Sequence, residues 1–245
     1  LQHQDGHSHI LSSTIPNCRS YDPAYAYEVA VIIKDGIQKM YVDQENYFYY
    51  ITTTNENYPQ PEMPKKSEKG IIKGMYKVVD SEKPSIRLIG SGAILRESIK
   101  ANEILSKYKI HSEVWSVTSF NLLRKDGMET ERFNQLNPDK EKDAYVEECF
   151  DNKDIPVVAS TDYMRAYAEQ IRPYIKGEYA VLGTDGYGRS DSREMLRDFF
   201  EINSNNIVRV SAYSLYKSKV IDKKLLTKIY SDMGVDPSKP NPWEI

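Results

Sequence analysis

The chain has 245 residues, of which 40% are hydrophobic, and carries 33 Lys and Arg against 36 Asp and Glu, a net charge of −3. No apolar run approaches the roughly 18 residues needed to cross a bilayer, and the dispersed basic residues lack the clustering that nucleic-acid binding needs. We therefore expect neither membrane insertion nor nucleic acid as a partner. The two cysteines match no metal or redox spacing, which favours free thiols and a cytoplasmic location.

Three of the four histidines lie in the first nine residues, as His3, His7 and His9. Imidazole titrates near neutral pH, so this cluster suggests proton transfer, metal ligation or contact with an anion. In an extended segment His7 and His9 project to the same side. The residues alone leave three interpretations open: a hydrolase-type metal site that includes Asp5, an organic site, or a solvated histidine-rich segment.

A helix is predicted to begin at Asp22, which would act as the N-cap with Pro23 at the first helical position. Apolar residues at helical spacing continue to Met40. The aromatic and β-branched run over 47–53 then favours a strand.

A linker is predicted next, because the stretch after this strand combines several prolines with few large apolar side chains. We assign residues 1–58 to the C-terminal part of a first domain, residues 59–74 to the linker and residues 75–245 to a second domain.

Strands and helices alternate over the second domain. Strands are predicted at 85–90, 111–117, 155–160 and 179–183. Helices are predicted at 94–105, 164–171, 195–200, 204–216 and 223–233, whereas about 127–142 is assigned only as a polar stretch. This alternation implies βαβ units and an α/β fold with a mostly parallel sheet flanked by helices.

Individual residues predict helix caps and ion pairs. Expected N-caps are Ser160 or Thr161, Ser190 or Asp191, and Asp222, with Gly234 ending the last helix. Arg189 and Arg193 are expected to pair with Asp185, Asp191 or Glu194, with an anion at a helix N-terminus as the alternative. His111 is expected to be structural or exposed.

Several blocks follow one another along the chain: Gln4–His9, Ile15–Asn17, Tyr21–Ala24, Tyr49–Tyr58, Gly90–Arg96, Val117–Phe120, Ala159–Met164 and Leu182–Arg193. Together they closely resemble the homodimeric bacterial type of pyruvate dehydrogenase, the thiamine-diphosphate-dependent decarboxylating component of a multienzyme complex. The resemblance covers nearly the whole chain. It implies the C-terminal part of a longer enzyme: the end of the pyrimidine-binding domain, then a transketolase-like C-terminal domain.

The resemblance also implies roles for the histidines. In transketolase relatives an Asp-Gly-x-x-His segment brings a histidine to the thiamine adduct, and residues 5–9 match it with His9 in the histidine place. His3 matches a substrate-pocket histidine of pyruvate dehydrogenases. We therefore expect His3 and His9, with His7 third, to contact the substrate's carboxylate or developing alkoxide and to relay protons.

Thiamine diphosphate and Mg²⁺ are the implied cofactors, but the Gly-Asp-Gly…Asn motif that holds them is not found in this sequence. Thr184-Asp185-Gly186 with Asn205-Asn206 lacks the first glycine and has too short a spacing, so we interpret it as a structural turn. The binding motif and the cofactor-activating glutamate are expected upstream of Leu1. No cofactor or metal ligand is assigned here, and the isolated chain is expected to be inactive.

The implied reaction is oxidative decarboxylation of pyruvate with reductive acetylation of a lipoyl group on the acetyltransferase component, carried out by a homodimer. Three alternatives remain. A transketolase acting on sugar phosphates is disfavoured, because His7-Ser8 stand where transketolases usually have Pro-Thr. The others are a non-catalytic dimerisation or docking module and a metal hydrolase.

Overall fold

The structure is a computed structural model that describes residues 5–151 and 153–245. Its strands are β1 Cys18–Tyr21, β2 Phe48–Ile51, β3 Met75–Val79, β4 Ile86–Gly90, β5 Ser112–Val117, β6 Val157–Ser160 and β7 Tyr179–Leu182. Its α-helices are α1 Ser8–Ser12, α2 Ala26–Ile37, α3 Glu68–Lys73, α4 Leu95–Lys107, α5 Phe120–Leu136, α6 Tyr145–Cys149, α7 Arg165–Glu169, α8 Arg193–Phe199, α9 Ser204–Lys217 and α10 Lys223–Asp232. A π-helical turn, Gln38–Val42, continues α2.

The main sheet has the strand order β3-β5-β4-β6-β7, and only β3 runs antiparallel to its neighbour. The predicted α/β class with a mostly parallel sheet is therefore confirmed. From β4 the chain first moves to β5 on one side and later to β6 on the other. Such a switch point leaves a crevice at the carboxyl ends of the strands, where ligands of α/β proteins commonly bind. The strands β1 and β2 form a separate parallel pair.

Two apolar cores cover the two faces of this sheet, because alternate residues of a strand point to opposite sides. On β4, Leu88 packs into a core with residues of α4, α9 and α10. Its neighbour Ile89 packs into the other core, with residues of α5, α6 and α7. Parallel strands covered on both faces are buried along their length, as β4 and β5 are.

Helix α5 differs from the prediction, because it extends through the first part of the stretch that we assigned only as polar. Its inward face carries Phe120, Leu123, Gly127 and Thr130 at helical spacing. Ser119 caps its start by accepting a hydrogen bond from the backbone N–H of Leu122 at 3.1 Å. The polar residues occupy the solvent-facing side and dominate the local composition, which hid the helix.

Three predicted caps are wrong. Asp22 does not cap α2, whose N-cap is Tyr25; Glu28 instead reaches back to accept the N–H of Tyr25 at 3.1 Å. Helix α7 has no side-chain cap, and Ser192, rather than Ser190 or Asp191, caps α8.

The cap of α10 is confirmed, since Asp222 accepts the N–H of Leu225 at 2.8 Å. Gly234 follows that helix with a left-handed φ of 64°.

The segment after β2 carries no helix or strand over residues 52–64. Our domain boundaries at 58 and 75 stay a prediction. Among the described helices, none combines the length and the apolar character that a bilayer span requires.

Candidate active site

We call residues 1–9 the histidine segment; its described part, residues 5–9, forms a turn that leads directly into α1. Asp5 accepts hydrogen bonds from the backbone N–H groups of His7 at 3.2 Å and Ser8 at 3.0 Å, and from the Ser8 hydroxyl. Burial acts to raise the pKa of Asp5, but these donors outweigh it and lower that pKa. Asp5 therefore fixes the turn that leads into α1.

The helical turn separates the two histidines that were predicted to share a side. His7, at the N-cap of α1, is exposed, whereas the side chain of His9 is 0% exposed. The prediction of a common side is wrong, because successive helical residues turn by about 100°. His3 lies outside the described residues.

Three tyrosine rings enclose the imidazole of His9. Tyr167 stacks on it with ring centroids 4.8 Å apart, while Tyr163 and Tyr50 present edges at 4.6 and 5.5 Å. This burial lowers the pKa of His9 to about 4, although the negative charge of Asp5 acts in the opposite direction. The imidazole is therefore neutral at pH 7.

A short hydrogen-bonded chain connects His9 to a buried carboxyl group. The Nε2 atom of His9 lies 3.0 Å from Oγ1 of Thr52, and that hydroxyl lies 2.9 Å from Oδ1 of Asp22. A hydroxyl has one proton to give, so when Thr52 donates to an ionised Asp22 the imidazole must donate from Nε2. With Asp22 ionised, this network requires the Nε2–H tautomer and leaves Nδ1 as an acceptor.

Each end of this chain carries a buried atom without a partner among the described residues: Nδ1 of His9 and Oδ2 of Asp22. Burial raises the pKa of Asp22 to about 7, against the opposing effect of its hydroxyl donors. Its carboxyl group lies beneath Gly92, which has a φ of 48° and where a Cβ atom would come within 2.5 Å of the carboxylate oxygens. Asp22 therefore lies at the carboxyl end of β4, beside the sheet's switch point.

A cavity of about 750 Å³ opens at the same edge of the sheet. Its walls come from the histidine segment through Asp5, from the segment after β2 through Glu56, from the end of β6 through Asp162, and from the region of α8 through Arg193. This volume is typical of a small-molecule site. Asp5 joins the histidine segment to the cavity, whereas His7 and His9 do not line it.

Charged side chains order the cavity wall. Glu56 pairs with Arg197 at 2.8 Å, with Arg96, and more distantly with Arg193 at 4.0 Å. Burial opposes the ionisation of Glu56, but the arginines prevail and lower its pKa to about 2. Asp162 lies on the cavity wall, where the enclosing protein reduces the hydration of its carboxyl group and raises its pKa to about 6.

The predicted ion pairs of the glycine turn are wrong, because the folded chain offers closer partners from other segments. Asp185 pairs with Arg165 at 2.8 Å, and Arg193 turns to Glu56. The guanidinium of Arg189 lies over the Phe199 ring at 5.1 Å.

A magnesium-bound diphosphate does not fit the described residues. Asp185, the acidic residue of the motif-like turn, is already held by Arg165. Within residues 5–151 and 153–245, no group of three His, Cys, Asp or Glu side chains could hold a metal ion. At Gly186 a Cβ atom would lie 2.9 Å from the Cα of Trp243, so the C-terminal segment occupies the space over this turn.

Sequence reasoning missed Thr52 and the Tyr163–Tyr167 pair, and it gave Asp22 a different role. All four lie within or beside blocks that carry the family resemblance, so those blocks were the available signal. Their convergence depends on the packing of the β1–β2 pair against the main sheet, which brings the ends of β1 and β2 close to the end of β6. His111 is exposed, as predicted.

Both parts of the chain match known protein families. Residues 1–61 match the model of the pyruvate dehydrogenase E1 component middle domain, and residues 74–203 match the transketolase-like C-terminal domain. The pyruvate dehydrogenase E1 component of Pseudomonas aeruginosa is 52% identical over the whole chain, and that of Escherichia coli K12 is 51% identical over 99% of it. The chain spans about 28% of the length of each relative.

Solved structures share the fold at low identity. A transketolase from Pichia stipitis superposes with a TM-score of 0.66 at 18% identity, covering 90% of this chain and 28% of that one. A split-gene transketolase, described as an inactive β4 tetramer, gives 0.52 at 14% identity and covers 84% of this chain and 60% of that one. The chain belongs to the family of transketolase-like C-terminal domains, and its curated relatives over its whole length are pyruvate dehydrogenase E1 components.

Proposed function

We propose that the full-length protein containing this chain is a pyruvate dehydrogenase E1 component that uses thiamine diphosphate and Mg²⁺. It decarboxylates pyruvate oxidatively and acetylates the lipoyl group of the acetyltransferase component, as a cytoplasmic homodimer. The observation that carries this proposal is the identity of 44–54% with proteins of that name over essentially the whole chain. The carbanion chemistry belongs to the cofactor, and this chain contributes substrate contact and orientation.

The histidine segment is the proposed contribution to the substrate pocket. We assign direct contact with the substrate to His3 and His7, as hydrogen-bond donors and proton relays. Substrate contact by His9 stays a prediction; its burial and its link to Thr52 support a positioning role instead. Because Asp5 lines the cavity, the pocket is proposed to be continuous with it.

A second proposal concerns the 245 residues by themselves: we infer that they form a non-catalytic assembly module. The similarity to an inactive split-gene transketolase supports this inference. So does the poor fit of the described residues to a magnesium-bound diphosphate.

An assay of pyruvate-dependent reduction of an artificial electron acceptor tests both proposals. The full-length protein should turn over only with thiamine diphosphate and Mg²⁺, and the 245-residue chain should not turn over at all. Preference for a sugar phosphate over pyruvate would replace the first proposal with a transketolase, and stoichiometric bound zinc would favour a hydrolase. Turnover by the isolated chain would refute the second proposal.

A further inference from the structure

A second cavity, of about 300 Å³, lies where β1 meets α3 and α5, and it shares no wall residue with the candidate active site. Four cationic side chains line it: Arg19 of β1, Lys39 after α2, Lys73 of α3 and Lys125 of α5. The chain as a whole carries a net charge of −3. This concentration of positive charge is therefore a local property of the cavity.

Three of these four cations form no ion pair in the described part of the chain. Lys39 pairs with Asp35 at 2.8 Å, but in the described part of the chain no carboxylate lies within ion-pair distance of Arg19, Lys73 or Lys125. Two carboxylates, those of Asp126 and Glu129, also line the cavity. Asp126 is engaged by the backbone N–H of Tyr145 at 2.6 Å.

Neighbouring groups already hold the three unpaired cations in place. The guanidinium of Arg19 lies 4.2 Å from the centroid of the Tyr47 ring, and its Nε is buried without a partner. The ammonium of Lys73 lies 4.3 Å from the centroid of the Tyr145 ring, and that of Lys125 donates to the carbonyl of Pro16 at 3.4 Å. Groups ordered beforehand lose less entropy when a ligand binds.

We propose that this cavity binds the phosphate group of a small molecule. An arginine fork can engage two oxygens of an oxyanion while lysines act as point charges, and the three unpaired cations outnumber the two carboxylates that line the cavity. The volume lies at the lower end of the range for small-molecule sites. This inference uses none of the residues of the proposed pyruvate site and does not depend on that function.

Calorimetric titration of inorganic phosphate and glycerol phosphate into the full-length protein tests the proposal, with thiamine diphosphate and Mg²⁺ at saturation to occupy the proposed cofactor site. We expect one site per chain in the cavity, which sulfate competes for and acetate does not. Arg19→Gln should weaken binding about tenfold, the effect of losing about 1.4 kcal/mol. Tighter binding of the monoester identifies an organic phosphate, and equal binding identifies free phosphate.

Lys125→Gln is the second variant, because Lys125 is exposed and its replacement leaves the fold intact. It should weaken binding about threefold by the same arithmetic. Lys34→Gln, an exposed lysine of α2 outside the cavity, is the matched control and should leave the affinity unchanged. Absence of phosphate binding in the unmodified protein, or unchanged affinity in both Arg19→Gln and Lys125→Gln, would overturn the proposal. If the full-length protein does not turn over pyruvate, the proposed function fails, but this titration still tests phosphate binding.

Discussion

Thr52 shows how one hydroxyl can determine the state of a buried histidine. Its oxygen lies between His9 and Asp22 at 3.0 and 2.9 Å. Since the hydroxyl has a single proton, its direction of donation sets which imidazole nitrogen carries hydrogen. Among the described residues, Thr52 is the hydrogen-bond partner of Nε2 of His9.

Thr52→Val should therefore destabilise the chain, because the valine keeps the shape but leaves two buried polar atoms unpaired. Each unpaired atom costs about 1–3 kcal/mol in the free energy of unfolding. Denaturant unfolding of the 245-residue chain measures the loss, and nitrogen NMR of His9 measures the tautomer. Thr52→Ser, which keeps the hydroxyl, is the control; equal stability of the Val and Ser variants would contradict the account.

His9 and Asp22 should give stability opposite dependences on pH. The pKa of His9 falls from 6.5 to about 4 on folding, so its contribution is present above pH 6.5 and is lost as the pH falls toward 4. The pKa of Asp22 rises from 3.8 to about 7, so its contribution is present below pH 3.8 and is lost as the pH rises toward 7.

The two slopes nearly cancel between pH 4 and 6.5 in the unmodified chain, so Asp22→Asn should produce a rise of the unfolding free energy with pH over this range, while His9→Gln should produce a decline. Denaturant unfolding at several pH values, compared with the unmodified chain, makes this measurement. Parallel curves for all three proteins would show that neither group has a shifted pKa.

Helix α5 is the element where sequence pattern and structure diverge most. Gly127 lies against the ring of Tyr174, so that a Cβ atom would come within 2.2 Å of it. In an isolated helix alanine is favoured over glycine by roughly 1 kcal/mol. Tertiary packing outweighs this preference, because the Tyr174 ring is itself buried in the core.

Gly127→Ala should consequently destabilise the chain by about 1–3 kcal/mol, the usual cost of overpacking. Thermal or denaturant unfolding measures the change. Met128→Ala is the matched control on the exposed face of the same helix and should be close to neutral. A gain of stability in Gly127→Ala would mean that the helix does not pack as described.

The elements that could be predicted are those whose signals are local. Apolar spacing and a capping aspartate placed α10, and short β-branched runs placed β4 to β7. The elements that were missed depend on partners distant in sequence: β3 pairs with β5, and β1 pairs with β2. Likewise the resemblance indicated the histidine segment, but no pattern could show that tyrosines from β2, from the turn after β6 and from α7 enclose His9.

At the scale of the whole molecule, the folding of residues 1–58 depends on contacts with the main sheet. Glu28 of α2 is fully buried and accepts the hydroxyls of Tyr76 at 2.6 Å and Ser116 at 2.7 Å, which belong to β3 and β5. Asn121 of α5 donates to the carbonyl of His9 at 2.7 Å. A two-stranded sheet is marginally stable in water by itself, so β1 and β2 depend on contacts such as the hydrogen bond that Asn121 donates to the Ser20 hydroxyl of β1 at 2.6 Å.

Residues 1–58 expressed alone should therefore lack cooperative unfolding in circular dichroism, whereas the 245-residue chain should unfold cooperatively. Glu28→Ala in the whole chain should lower the free energy of unfolding by about 2–4 kcal/mol, because two buried hydroxyls lose their acceptor. Glu147→Ala, the replacement of an equivalent helix-start glutamate that caps only its own helix, is the comparison and should cost about 1 kcal/mol. Cooperative folding of residues 1–58 would contradict this dependence.

The central claim is that the histidine segment forms a wall of a pyruvate pocket, and steady-state kinetics of the full-length protein with pyruvate tests it most directly. His3→Ala, His7→Ala and His9→Ala should each lower kcat at least about tenfold, a loss of about 1.4 kcal/mol in transition-state stabilisation. The affinity for thiamine diphosphate should stay nearly unchanged. His111→Ala, at an exposed position, should behave as the unmodified protein. Unmodified kinetics in both His3→Ala and His7→Ala would contradict the claim.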